Sequence, residues 1–457
     1  MVNLADLPAD VLFDVLSRMQ LQDAWSLAAV SRAVRAHTTD RSFWLAALKT
    51  HSSIQSVSNP LTPHDLDSQD LKELVLHRLK LDQNWTLPRP RIIGEVRKWQ
   101  LGDRSALETN HLFNFPGSEL FIFYSSKFLK CLDYGTGEYT SLFDLDAYVR
   151  SASYDFLPDK SVILGLALKG GSRFDIPVLK FLKVERQKNE SGVSVRVSLL
   201  LEATLAIDCD FQKPFVSPRV VGAVQSNSKG TQIVAYGLIS GGCTVIETDI
   251  PTNYAISRRL NFSFYNENLY LLADDGAKAL VYCCRSDYLP YGLATSTAST
   301  LTFGDVDPGI SFPTRIWKRR GLVCTQMLRD ASFVKVHDSL GVPDSRFVTT
   351  IRFWQRADLG STRCPEITVE GMCSTELTVQ MGPIGHHVVV SLLSLGQRGC
   401  TLVLIRFDPH SNTCSSHELE LPAGVGSGPP PNVLAVDDHR GIVWLIEGNF
   451  LFSVPYA

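Results

Sequence analysis

The chain has 457 residues, a net charge of −3, and hydrophobic and charged fractions of 44% and 20%. That balance belongs to an ordinary globular protein and not to a disordered one, and it carries no basic surplus pointing to nucleic acid or to a membrane surface. The length exceeds the roughly 250–300 residues at which a single core stops growing, so it requires a second domain or a large closed β architecture.

The first predicted element is a helix over residues 8–19. At about 100° per residue, Pro8, Val11, Leu12, Val15, Leu16 and Met19 fill an arc of about 140°, with Phe13 widening it and Asp10, Asp14, Ser17 and Arg18 opposite. A helix lying on one core needs a stripe of only roughly 100°, so this one has apolar surface for two partners. Pro8 suits the first turn, where its missing N–H costs nothing. Leu21, Gln22 and Asp23 break the pattern and start a second helix with Trp25, Leu27, Ala28 and Val30; Arg32 and Arg35 flank Val34, and a last short helix near Asp40 presents Phe43, Trp44, Ala47 and Leu48. A module of about fifty residues supplies too little core to stand alone, so the surplus arc predicts a standing protein partner.

Taken together, Leu7-Pro8, Asp10, Leu12, Val15, Leu16, Leu21, Asp23, Val30-Ser31-Arg32, Arg35 and Trp44 form a gapless string that resembles the F-box, the adaptor-binding module of SCF-type (cullin–RING) ubiquitin ligases. Two positions depart from the family pattern: Val34 stands where an aromatic is usual, and Asp10 where Glu is more usual. The resemblance implies that the apolar arc docks on the S-phase-kinase-associated adaptor and, through it, on a cullin. It gives Leu7, Pro8, Val11, Leu12, Val15, Leu16, Met19, Leu21, Val30 and Trp44 as the adaptor-binding residues.

Residues 51–63 read as a polar linker ended by two prolines. A helix follows over 67–81, with Asp67 or Ser68 as N-cap. Leu71, Leu74, Val75 and Leu81 form its apolar side, widened by Leu76 and Leu79, and Trp85 anchors what comes next. This resembles the helix that many F-box proteins place between the adaptor-binding module and the substrate domain, and the resemblance implies that it holds the two parts at a fixed distance.

From about Pro88 onward helical periodicity gives way to short apolar runs separated by turns. The first hairpin turns on Gly135-Thr136-Gly137. Further runs are predicted at 162–168, 177–184 and 193–201, where Val193, Val195, Val197, Leu199 and Leu201 alternate as in a half-buried strand. Strand–turn–strand groups begin near Ile233, Leu269, Gly321, His387 and Val433. Their spacing of roughly 40–60 residues is that of propeller blades, six to eight of which would fill the chain, with residues 92–99 supplying the strand that closes the ring. The motifs of the regular propeller repeats are missing, so the repeat is degenerate; a pair of β-sandwiches is the rival. Gly424, Gly426 and Gly428 precede three prolines, which makes a loop and not a phosphate cradle.

Chemistry is sparse. No P-loop, nucleophile elbow or paired zinc-ligand motif occurs, and no cofactor is implied. Adjacent His386 and His387 on a strand point to opposite faces. Asp274-Asp275 and Asp437-Asp438 sit in turns, where Asp bonds its own backbone. No membrane-length apolar run, basic signal or C-x-x-C pair is present, so the ten cysteines read as reduced core thiols of a cytoplasmic or nuclear chain. The cluster Arg315, Trp317, Lys318, Arg319 and Arg320 can hold an acidic or phosphorylated segment by charge-assisted bonds and stacking, or form a solvated strand entry.

The expected architecture is an α+β multidomain chain: a small all-α F-box at 1–50, a linker and connecting helix at 51–85, and a large all-β, propeller-like substrate-binding domain at 86–457. Its expected role is the non-catalytic substrate receptor of an SCF ubiquitin ligase, with an unidentified protein substrate. An adaptor-bound scaffold working without a cullin, and a hydrolase or lyase on a β-propeller, are the alternatives.

Overall fold

The computed structural model describes residues 7–16, 40–49, 67–100, 109–169, 178–204, 211–250, 260–291, 300–302, 308–313, 322–327, 333–340, 347–354, 365–373, 379–394 and 399–457, apart from a few turn residues inside these ranges, with isolated positions between 19 and 35. Helices α1 (Ala9–Leu16), α2 (Arg41–Lys49) and α3 (Ser68–Trp85) lead into a region that, among the described residues, is made of strands with a single 3-10 turn at Ser286–Tyr288. The Asp67 carboxylate caps α3 by accepting the Asp70 N–H at 2.8 Å, as the sequence leads one to expect. The helix does not stop at Leu81, however. Leu81, Asn84 and Trp85 continue the buried side at helical spacing, and no breaker comes before Pro88.

Among the described residues the strands form seven sheets in chain order. Blade 1 comprises Thr109–Asn114, Leu120–Ser125, Phe128–Asp133 and Glu138–Asp144. Blade 2 comprises Tyr148–Phe156, Val162–Lys169, Val178–Asn189 and Gly192–Thr204; blade 3, Phe211–Val216, Val220–Asn227, Gly230–Gly237 and Cys243–Thr248; and blade 4, Leu260–Tyr265, Asn268–Asp274, Lys278–Cys284 and Pro308–Pro313. Blade 5 is Leu322–Met327, Phe333–Leu340, Phe347–Trp354 and Glu366–Glu370, and blade 6 is Val379–Met381, His387–Ser394, Gly399–Asp408 and Thr413–Leu419. Blade 7 takes Asn432–Asp437, Ile442–Glu447 and Phe450–Pro455 from the end of the chain and its fourth strand, Arg97–Gln100, from the beginning. Within each blade these strands pair antiparallel. The first strand of blade 1 lies beside that of blade 7, so the sheets close a ring. The described sheets make a seven-bladed β-propeller, whose radial repetition leaves only short, protected strand edges.

The closing register is Arg97 to Ser453, Lys98 to Phe452, Trp99 to Leu451 and Gln100 to Phe450. Trp99 stacks on Trp444 at 5.9 Å, and Trp444 packs on Phe121 of blade 1 at 4.4 Å. Short as it is, the strand from the N-terminal side therefore joins an aromatic core between blades 7 and 1.

The turn at Gly135 to Gly137 is a hairpin, with the Asp133 carboxylate accepting the Gly135 N–H and Gly137 at φ 81°. Among the described residues no strand runs between Leu419 and Asn432, where the glycines and prolines concentrate. Two features depart from the periodicity. Gly192–Thr204 is the outer strand of blade 2 and carries a bulge where Phe181 pairs with Leu201 but Leu182 with Leu199. The extra residue breaks the alternation, leaving Leu199 at 49% and Leu200 at 40% exposure. In addition, Thr300–Thr302, from the connection inside blade 4, adds a parallel fifth strand to blade 3. Among the described cysteines, Cys131, Cys284 and Cys373 are core thiols, while Cys243 is exposed.

Candidate functional site

The described part of the N-terminal module is built around six buried side chains: Leu12 of α1, Phe43 and Trp44 of α2, and Leu71, Val75 and Leu79 of α3. Phe43 and Trp44 meet edge to face at 4.9 Å, and the Asp40 carboxylate accepts the Ser42 N–H at 2.9 Å at the start of α2. The long helix thus completes the core that the short ones cannot fill.

Helix α1 carries two apolar stripes. Leu12 points inward at 1% exposure, and half-buried Met19 packs against the same core. Pro8, Val11 and Val15 recur at i, i+3 and i+7 on the adjacent face. Pro8 is exposed, Val11 is 42% exposed and Val15 is half-buried. Once the inner stripe has been used, the outer one still offers apolar surface to solvent.

The expected adaptor-binding residues therefore separate. Leu12 and Trp44 are covered by the chain's own helices and cannot touch a partner without opening that core; they hold the face instead of forming it. Leu7, Pro8, Val11 and Val15 remain accessible in whole or in part, and Met19 is shared with the core. The side chain of Leu16, and Leu21 and Val30, lie outside the described residues, as do Arg315, Trp317, Lys318, Arg319 and Arg320.

At its other end α3 is built into the propeller. Leu81 and Trp85 share a core with Val389 and Leu402 of blade 6 and Val443, Val454 and Tyr456 at blade 7. Asn84 donates to the carbonyls of Arg91 and Tyr456 and accepts from the Arg91 N–H. Asp82 pairs with Arg406 at 2.5 Å. Between these contacts Arg78, 8% exposed, donates to the Asp438 carbonyl at 2.7 Å and to the ring of His439. The Asp438 side chain is fully buried and lies 3.5 Å from His387 Nδ1, while the His387 ring packs on Trp85 at 4.5 Å. His386 turns the other way, onto Phe407, as adjacent strand residues must.

The hairpin carrying this cluster is held by the Asp437 carboxylate, which accepts the N–H groups of His439 and Arg440. Burial, with the Asp438 charge beside it, pushes the Asp437 carboxyl up to about 6. Burial and the Arg78 guanidinium pull His439 down to about 4. Sequence reasoning passed over Arg78 and Asn84. For Arg78 the signal was position: Leu71, Val75, Arg78 and Trp85 lie on one helical stripe, so a guanidinium stood where the pattern calls for an apolar side chain.

Among the described residues no group of three potential metal ligands comes together, and no helix is long and apolar enough to cross a membrane.

The fold is similar to several solved structures at low identity. They include the WD40 domain of SCAP from fission yeast (12% identity, TM-score 0.36, covering 74% of this chain and 82% of that one) and a chain of the mitotic checkpoint complex (10%, 0.41, 81% and 98%). Another is in the complex of Drosophila Plexin A with Semaphorin 1b (8%, 0.41, 81% and 88%). Comparison with curated proteins finds no match. Residues 4–46, which hold the two-striped helix and α2 as far as Ala46, match the F-box domain model, so the chain carries an F-box domain.

Proposed function

We propose that this protein is the substrate-recognition subunit of an SCF-type ubiquitin ligase, its F-box seated on the S-phase-kinase-associated adaptor and its propeller holding the protein to be modified. The observation that carries the reading is the stripe Pro8–Val11–Val15, still open to solvent on a helix whose inner side is already packed. An amphipathic helix with a second apolar stripe fits a partner's groove. The role asks for no catalytic residue in this chain. Its contribution is effective concentration, since a tethered target meets the conjugating enzyme intramolecularly. Such a receptor works in the cytoplasm or nucleus.

The test is Val11→Asp in the full-length chain, with co-purification of adaptor and cullin. Burying a valine contributes about 1.5–3 kcal/mol, so losing that contact and placing a carboxylate in its stead should weaken adaptor binding by at least about tenfold. The propeller should stay folded. Undiminished adaptor binding by the variant would remove the proposed docking face; adaptor captured without cullin would favour a scaffold in place of a ligase receptor.

A further inference from the structure

Helix α3 belongs to two cores at once. Leu79 packs with the F-box helices and Leu81, two residues later, with blades 6 and 7, so no free turn separates them. Its 18 residues contain neither Gly nor Pro. They make one rod of about 27 Å, with no identified cause for a kink. Apolar contact holds the rod down, but it is non-directional: leucine and tryptophan surfaces tolerate small rotations and slides. A buried, hydrogen-bonded group does not, and fixing register is the best-attested use of buried polar groups.

We infer that Arg78 is a positioning residue, which sets the rotation and axial register of α3 on the propeller and thereby the orientation of the F-box relative to the target-binding domain. The guanidinium is a planar fork with fixed donor directions. Here it reaches two consecutive residues of one blade-7 hairpin, the carbonyl of Asp438 and the ring of His439. The contact closes on itself: the Asp438 carboxylate faces His387, and His387 packs on Trp85, one helical face further along the same rod. Gly382 stands where any Cβ would overlap the Asp438 carboxylate, so blade 6 is shaped around the cluster. Rotating α3 would break bonds of a guanidinium only 8% exposed, beside an Asp438 side chain that is fully buried, where solvent has little access to replace them.

The consequence for modification rests on the ligase reading: a fixed rod presents a restricted set of lysines to the conjugating enzyme. The test uses the full chain with genetically encoded spin labels at exposed Asp23 and Ala423. The wild-type protein should give one narrow distance. Arg78→Met, which keeps the bulk and drops both bonds, should lose that single distance while adaptor binding is retained. His439→Ala, which removes one acceptor, should broaden it less, and Arg78→Lys, which keeps a donor for the carbonyl, should recover part of the order. If Arg78→Met proves insoluble, His439→Ala decides alone. A distribution as narrow as wild type in every soluble variant would show that the remaining contacts of α3, the apolar ones together with those of Asn84 and Asp82, set the register without Arg78, and would overturn the assignment. In the assembled ligase, the lysines self-modified on this chain, mapped by mass spectrometry, should spread to new positions in Arg78→Met. A wild-type chain that is never modified would sink the ligase reading, while the spin-label result would still decide the role of Arg78.

Discussion

Trp85 is the residue through which the helical module grips the ring, and Trp85→Ala tests whether α3 is part of the propeller or merely leans on it. The indole is 2% exposed, shares a core with Leu81, Val389, Leu402 and Tyr456, and meets His387 edge-on at 4.5 Å. Removing a buried Trp side chain costs about 3–5 kcal/mol. For roughly 390 cooperative residues, at about 2.1 cal/mol/K each, the unfolding entropy is about 0.8 kcal/mol/K, so Tm should fall by about 4–6 °C. The assay is calorimetry beside far-UV circular dichroism of the strand signal. Leu87→Ala is the control, two residues away but 42% exposed, and should leave Tm within about 1 °C, as surface changes do. If Trp85→Ala moved the strand transition no more than Leu87→Ala, α3 would be an appendage and the shared-core account would be wrong.

The inner stripe of α1 should behave oppositely to the outer one: Leu12→Ala should cost about 2–5 kcal/mol and expose the helices to proteolysis while the strand transition stays in place. Gly441 sits at φ 65° with Leu81 and Ala457 against the position of a Cβ, so Gly441→Ala should lower Tm through both strain and overlap. Asp437, raised from 3.8 to about 6, holds its proton more tightly when folded, so it makes stability fall as pH rises from about 4 to 6; His439, lowered from 6.5 to about 4, makes stability rise from about 4 to 6.5. Relative to wild type, Tm measured against pH should therefore climb more steeply in Asp437→Asn and less steeply in His439→Gln.

What could be read from the residues alone was whatever periodicity encodes. The two stripes of α1 follow from angles on a wheel, and the structure places Leu12 on one and Val11 on the other. Hairpins announced themselves by Gly135-Thr136-Gly137, and Trp99 pointed to the closing strand because the last group held three strands where a blade needs four. The bulge opposite Phe181 was not legible, since an inserted residue leaves composition unchanged and shifts only the pairing, which is why Leu199 faces solvent despite its even spacing. The end of α3 was missed for a related reason. Residues 81–85 have weak helix signals of their own and are held helical by surfaces of blades 6 and 7 more than three hundred positions away.

That distance also explains why Arg78 was invisible. Its partners, Asp438 and His439, are 360 and 361 residues further along, and each reads locally as something else: a charged residue on a polar helix, a turn aspartate, a stray histidine. A guanidinium becomes informative only once its desolvation is known, because a buried charge must be paired and a solvated one need not be. Helix periodicity nevertheless holds a usable remnant of that information. Leu71, Val75 and Trp85 fix which side of α3 is buried, and Arg78 falls on that side. A cation on an apolar stripe therefore demands an acceptor pair somewhere in the chain, and here the ring closes so as to deliver one.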